Sequence, residues 1–145
     1  MNWKYEAAAK LKEYPLRLAS IEHIDAELRR LEAEFDRIRS STSDGTPVKG
    51  SGAPSRDDAI VNNIVLRGEL ENCLEDAKEW CRIYSSAWDM LEDEERHILD
   101  RMYVHRMKGN VERLRDELGL EDVRSVYRRK DKALERFTLL LYGKL

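Results

Sequence analysis

Apolar residues recur three and four positions apart along most of this chain, the spacing of one face of an α-helix. Over residues 2–39 they fall at Leu11, Tyr14, Leu18, Ile21, Ile24, Leu28, Leu31, Phe35 and Ile38. Pro15 lies inside this run and is tolerated only in a first turn or at a kink, because its ring removes one backbone donor. The spacing predicts a short helix to about residue 14 and a longer one from Pro15, or a single kinked rod. Over residues 58–90 a narrower seam follows: Leu66, Leu70, Cys73, Ala77, Trp80, Tyr84, Ala87 and Leu91, in strict four-three alternation. So narrow a stripe suits a coiled coil better than a broad globular face.

Residues 40–57 separate the two runs, rich in Gly, Pro and Ser without apolar period, and read as a flexible linker. Two long helices joined in this way fold back most simply as an antiparallel hairpin. The alternative pairs the seams of two chains as a homodimer. Small seam residues (Cys73, Ala77, Ala87) beside large ones (Trp80, Tyr84) suggest layered packing against Phe35 or against Trp3 and Tyr5.

Past Leu91 the pattern shortens. Four acids, Glu92 to Glu95, suit a helix N-terminus electrostatically, and a helix is expected over about residues 93–106. Lys108, Gly109 and Asn110 make a turn, a third helix runs from Val111 to Gly119, and a fourth spans about residues 122–142 and stops at Gly143. A short amphipathic helix, a glycine, then a helix crowded with arginine is the layout of a helix-turn-helix. The expected fold class is therefore all-α: a long coiled-coil-like hairpin (residues 1–90, linker 40–57) followed by a helix-turn-helix DNA-binding domain (residues 91–145).

Charge sharpens the picture. The net charge is −3, but residues 1–100 carry 14 Lys and Arg against 22 Asp and Glu, whereas residues 101–145 carry 12 against 7. A polyanion would meet the C-terminal part of the chain. A helix dipole explains Lys144 near the chain end but not Arg124, Arg128 and Arg129 near a helix start. By helical periodicity Val126, Ala133, Phe137 and the stem of Lys130 face inward, leaving Arg124, Ser125, Arg128, Arg129 and Lys132 outward. Arginine can contact guanine bidentately, and serine or tyrosine can reach a phosphate or a base edge. The candidate DNA-binding residues are thus Arg124, Ser125, Tyr127, Arg128, Arg129 and Lys132. Lys108 and Arg113, with Arg101 and Arg106, are candidates for sequence-independent phosphate contacts. The competing reading is an ordinary solvated cationic face.

Catalysis finds little support. His23, His97 and His105 lack ligand-spaced partners, and Gly45, Gly50 and Gly52 sit in the linker rather than between a strand and a helix. No enzyme activity, cofactor or metal is expected. Cys73 and Cys81 are eight residues apart on one helix, about 12 Å, too far to bridge each other; buried apolar packing is their expected role. No stretch approaches the ~18 apolar residues of a membrane span and no signal-peptide pattern opens the chain, so a cytoplasmic protein without membrane contact is expected.

Several segments together carry a family resemblance. Leu91 to Arg96, Val111 to Gly119, Ser125-Val126-Tyr127-Arg128 and Lys132-Ala133-Leu134 resemble the C-terminal DNA-reading domain of sigma factors. Taken with Asp44 to Gly50, Phe137-Thr138 and Leu141-Tyr142-Gly143, nearly the whole chain resembles the ArpU/RinA-type late transcription regulators of Firmicute prophages. Between Gly119 and Val126 the chain holds one more residue than sigma-type helix-turn-helices usually have, so either the turn at Leu120 to Arg124 is longer or the helix starts a residue early. The resemblance implies a phage transcription regulator that binds promoter double-stranded DNA through residues 91–142, with host RNA polymerase as a further partner and the hairpin as dimerisation or polymerase contact. The Asp44–Gly50 loop is either a tether or a docking segment. Two alternatives are a small-terminase-type packaging protein that oligomerises through its hairpin and a coiled-coil scaffold that binds only protein.

Overall fold

A computed structural model describes residues 1–41 and 55–145, and among these every regular element is helical. The elements are α1 (Trp3–Ser40), α2 (Arg56–Trp88), α3 (Asp93–Leu99), a π-helical turn (Asp100–Val104), α4 (Asn110–Glu117) and α5 (Val123–Tyr142). The all-α class and the long helical hairpin match expectation. The expected linker is shorter than residues 40–57, since Ser40 still belongs to α1 and Arg56 opens α2. The Asp44–Gly50 loop lies outside the described residues.

Pro15 does not break α1, which runs 38 residues through it. The helix starts where the Asn2 side-chain oxygen accepts the Tyr5 N–H at 3.1 Å, and Ser55 caps α2 likewise by accepting from Asp58 at 3.2 Å. Asp57 and Asp58 in the first turn of α2 complement its dipole. α3 opens with a capping box between Glu92 and Glu95, in which the Glu92 N–H donates to Glu95 at 2.9 Å. The helix expected over residues 93–106 instead widens at residue 100, where the His105 N–H donates to the Asp100 carbonyl, five residues back, at 2.7 Å.

The chain packs as two compact units, residues 19–78 and residues 1–18 with 79–145. The boundary between the units crosses α1 after residue 18 and α2 after residue 78.

In the unit of residues 19–78, Leu28 and Leu31 of α1 are buried, as are Leu74 and Ala77 of α2. Asn63 is also buried, and its amide donates to the Leu31 carbonyl at 2.9 Å. Arg67 lies over the Phe35 ring, 4.8 Å from its centroid. The expected α2 seam needs correction here. Leu66 and Cys73 are exposed, and the inner face runs instead through the buried Asn63 and Leu74 with Leu70 half-buried between them. Both candidate heptad seams share Leu70, Ala77, Tyr84 and Leu91, and they differ by one residue in the alternate position. Leu74 packs better than Cys73 because it buries more apolar surface, so α2 turns slightly relative to the expected face. Cys73 is therefore exposed rather than buried, while Cys81 is half-buried and its thiol is pushed up by burial.

In the other unit, Tyr84 of α2 sits at the centre of a ring cluster. Tyr14 stacks on it at 4.2 Å between centroids, Trp80 and Trp88 flank it at 5.7 Å each, and Phe137 of α5 meets it edge-on at 5.5 Å. Ala7 and Leu11 of α1, Ala87 and Leu91, Leu99 of α3, and Ala133, Leu134 and Phe137 of α5 complete one core. Burial pushes the Tyr84 phenol far above its ordinary value, and among the described residues its hydroxyl has no hydrogen-bond partner. A smaller cluster, Ile98, Leu114 and Val126, joins α3, α4 and α5. The second and third of these helices are thus held by one shared apolar contact, while α5 is also anchored to the ends of α1 and α2.

Candidate nucleic-acid interface

The connection between α4 and α5 is built from local rules. Gly119 takes φ +66°, and the N–H groups of Gly119 and Leu120 donate back to the carbonyls of Asp116 (3.3 Å) and Arg115 (2.9 Å). These are the two bonds of a Schellman motif, which requires a left-handed residue that glycine adopts without steric penalty. Asp122 then caps α5: its carboxylate accepts from the Ser125 N–H and from the Ser125 hydroxyl, both at 2.9 Å. Those bonds hold the Asp122 carboxyl below its ordinary range. The turn is five residues, Leu118 to Asp122, the longer form that the sequence spacing allows.

Periodicity placed the inward face of α5 correctly. Val126, Ala133, Leu134, Phe137 and Thr138 are buried, and Lys130 is half-buried, its ammonium 5.1 Å from the Tyr127 ring centroid and 5.8 Å from that of Tyr103. The candidate binding residues separate into three groups. Arg124 and Arg128 lie one helical turn apart on the exposed face, and among the described residues neither forms an ion pair. Both add a smaller coulombic pull on the Asp122 carboxyl, beyond that of its bonds to Ser125. Tyr127 is exposed beside them. Ser125 is half-buried and committed to the cap.

The second group lies on the flank that meets the start of α3. Arg129 pairs with Glu94, and Arg136 lies 3.5 Å from Glu92 and 3.3 Å from Glu95. Lys132 lines the same groove as Glu92, Glu94, Glu95 and the two arginines, and among the described residues it forms no ion pair. The acidic run that caps α3 therefore also neutralises one side of α5. Its four consecutive acids were visible in the sequence, but their second role depends on tertiary packing.

The third group lies off α5. Arg113 of α4 is exposed one turn before Glu117, whose carboxylate is held below its ordinary range chiefly by His97, with Arg101 and Arg113 adding to the effect. Lys108 is exposed in the turn before α4 and forms no ion pair among the described residues. Among the described residues Arg124, Arg128 and Lys132 of α5 and Arg106 and Lys108 before α4 form no ion pair, whereas Arg129 and Arg136 of α5 are paired with the acidic start of α3.

The arrangement is a short helix, a glycine turn and a capped basic helix sharing one apolar contact, the architecture of a helix-turn-helix. No protein-family profile, curated protein or solved structure matches this chain. Among the described residues, no helix is long and apolar enough to cross a membrane.

Proposed function

We propose that this chain is a sequence-specific DNA-binding regulator of phage or prophage transcription, a sigma-factor-like late gene activator of the ArpU/RinA kind, with α5 as its reading helix. The observation that carries the reading is the pair Arg124 and Arg128, exposed on the first two turns of a helix that follows a glycine turn and free of ion pairs among the described residues. In helix-turn-helix proteins the first turns of the second helix meet base edges, and a bidentate arginine–guanine contact is worth about 1–3 kcal/mol of discrimination. Lys108 and Arg113 add phosphate contacts, which makes the complex steeply salt-dependent. Host RNA polymerase is the further partner, the hairpin is the dimerisation or polymerase contact, and the cytoplasm is the place of action.

Fluorescence anisotropy with labelled duplexes carrying phage late-promoter sequences tests this. A saturable complex that weakens as salt rises, and that is lost when Arg124→Ala is combined with Arg128→Ala, is the expected result. An unchanged complex in that double variant, or none in the wild type at any salt, would sink the proposal.

One observation favours a second reading, a packaging protein of small-terminase type. Val61, Ile64, Val65 and Leu66 are exposed along α2, apolar surface of the sort that self-association covers. Mass in solution separates the two: a monomer or dimer supports regulation, and an octamer or larger ring supports packaging.

A further inference from the structure

Beside the reading helix, and beyond the function proposed for it, the chain encloses a cleft of about 590 Å³. Its walls come from α1, the π-helical turn, the 105–109 segment and the starts of α4 and α5. Among the described residues five cations line it, Lys12, Arg101, Arg106, Lys108 and Lys130, and no carboxylate does. Arg101 reaches Glu117 at 4.0 Å and Lys130 reaches Asp131 at 4.0 Å. Among the described residues Lys12, Arg106 and Lys108 form no ion pair.

We propose that this cleft binds a phosphorylated small molecule with an aromatic ring, of the nucleoside phosphate class. Like charges gathered around a low-dielectric concavity repel one another and focus a positive potential, and an anion seated among them offsets that repulsion. α4 begins at the cleft wall, with Gly109 as N-cap and no side-chain cap, so its dipole adds to the same field. The wall has an aromatic component too: Tyr103 and Tyr127 flank the Lys130 ammonium, and Tyr127 is exposed. Asn110, at the same wall, is 4% exposed, and its amide donates to the Arg101 carbonyl at 2.6 Å and the His105 carbonyl at 3.3 Å, which ties the start of α4 to the π-helical turn. The volume exceeds what one phosphate fills and lies within the ~300–1,000 Å³ of small-molecule sites. These features favour a ligand that brings an anion and a ring together over a lone inorganic ion.

The test is calorimetric titration of the whole chain with inorganic pyrophosphate and with ATP, at ionic strength held constant with sodium chloride, together with the tyrosine ring signals in proton NMR. ATP is expected to bind saturably and more tightly than pyrophosphate and to shift the ring signals of Tyr103 and Tyr127. Combining Lys12→Ala with Arg106→Ala is expected to weaken binding about tenfold or more, since two charge-assisted contacts are lost, while Lys78→Ala, outside the cleft, leaves it unchanged. Should the double variant fail to fold, Lys108→Ala in the exposed turn carries the same comparison. Heats and shifts equal to those of added sodium chloride would overturn the proposal. So would binding that persists undiminished in the cleft variants, or cleft variants that weaken DNA binding while ATP and pyrophosphate never bind the wild type. The last outcome makes the cleft a contact for backbone phosphate and leaves the DNA-binding proposal standing.

Discussion

Phe137→Ala is expected to be among the most damaging single substitutions in the chain. Phe137 is fully buried and joins α5 to the aromatic cluster, meeting Tyr84 at 5.5 Å and 69° and Trp88 at 6.1 Å and 87°. Truncating a buried Phe costs about 3–5 kcal/mol, and two edge-on ring pairs, each worth about 0.5–1.5 kcal/mol beyond area burial, place the loss toward the upper end. For a chain of this size each kcal/mol lowers the melting temperature by roughly 2–4 °C, so a drop on the order of 10–15 °C is expected. Phe137→Leu keeps most of the apolar volume and forfeits the ring pairs, at about 1–2 kcal/mol. Leu139 is a control two residues along the same helix; at 46% exposed, its truncation should stay within roughly 0.5–1 kcal/mol. Urea unfolding followed by tryptophan fluorescence measures all three, with Trp80 and Trp88 reporting on the cluster. A Phe137→Ala cost below about 1 kcal/mol, or one no larger than that of Leu139→Ala, refutes the claim that α5 is anchored by this core.

Three further outcomes are open to direct measurement. Arg128→Ala should relax sequence preference, losing about 1–3 kcal/mol of discrimination between promoter and unrelated duplex, whereas Arg129→Ala should change affinity less than about threefold, because Glu94 already neutralises Arg129. Glu94→Gln should raise affinity at low salt; equal damage from both arginine variants in a binding titration contradicts this division. Asp122→Ala should lower the melting temperature at pH 7 by removing the cap on Ser125, and Asp122→Asn should restore most of it. The folded carboxyl of Asp122 titrates below its unfolded value, so its contribution is present above about pH 4 and is lost as pH falls through the folded value. Melting curves of wild type and Asp122→Ala should therefore converge in acid, and a gap that widens below pH 4 would count against the cap.

Much of the fold was legible because helical periodicity is a local signal. The inward face of α5, the glycine at the end of α4 and the aspartate before α5 all follow from residue types within one turn of each other. The α2 seam was less legible. Two heptad phases share Leu70, Ala77, Tyr84 and Leu91, and only packing chooses Leu74 over Cys73. The π-helical turn at residues 100–104 carried no sequence mark that separates it from an ordinary helix end. The candidate interface was legible as a set of cations but not as a charge distribution. The pairing of Arg129 and Arg136 with the acidic cap of α3, and the meeting of Lys12 with Lys130 in one cleft, join residues more than 30 positions apart. Nothing in the local pattern encodes them.

The most direct test of the central claim is residue-resolved mapping of the protein bound to duplex DNA. Amide NMR spectra of the labelled chain, titrated with a late-promoter duplex, locate the contact surface. The largest perturbations should fall on Arg124, Ser125, Tyr127 and Arg128, with smaller ones at Lys108 and Arg113 that fade as salt rises. Perturbations confined to α1 and α2, or spread evenly over the chain, would contradict the assignment of α5 as a reading helix.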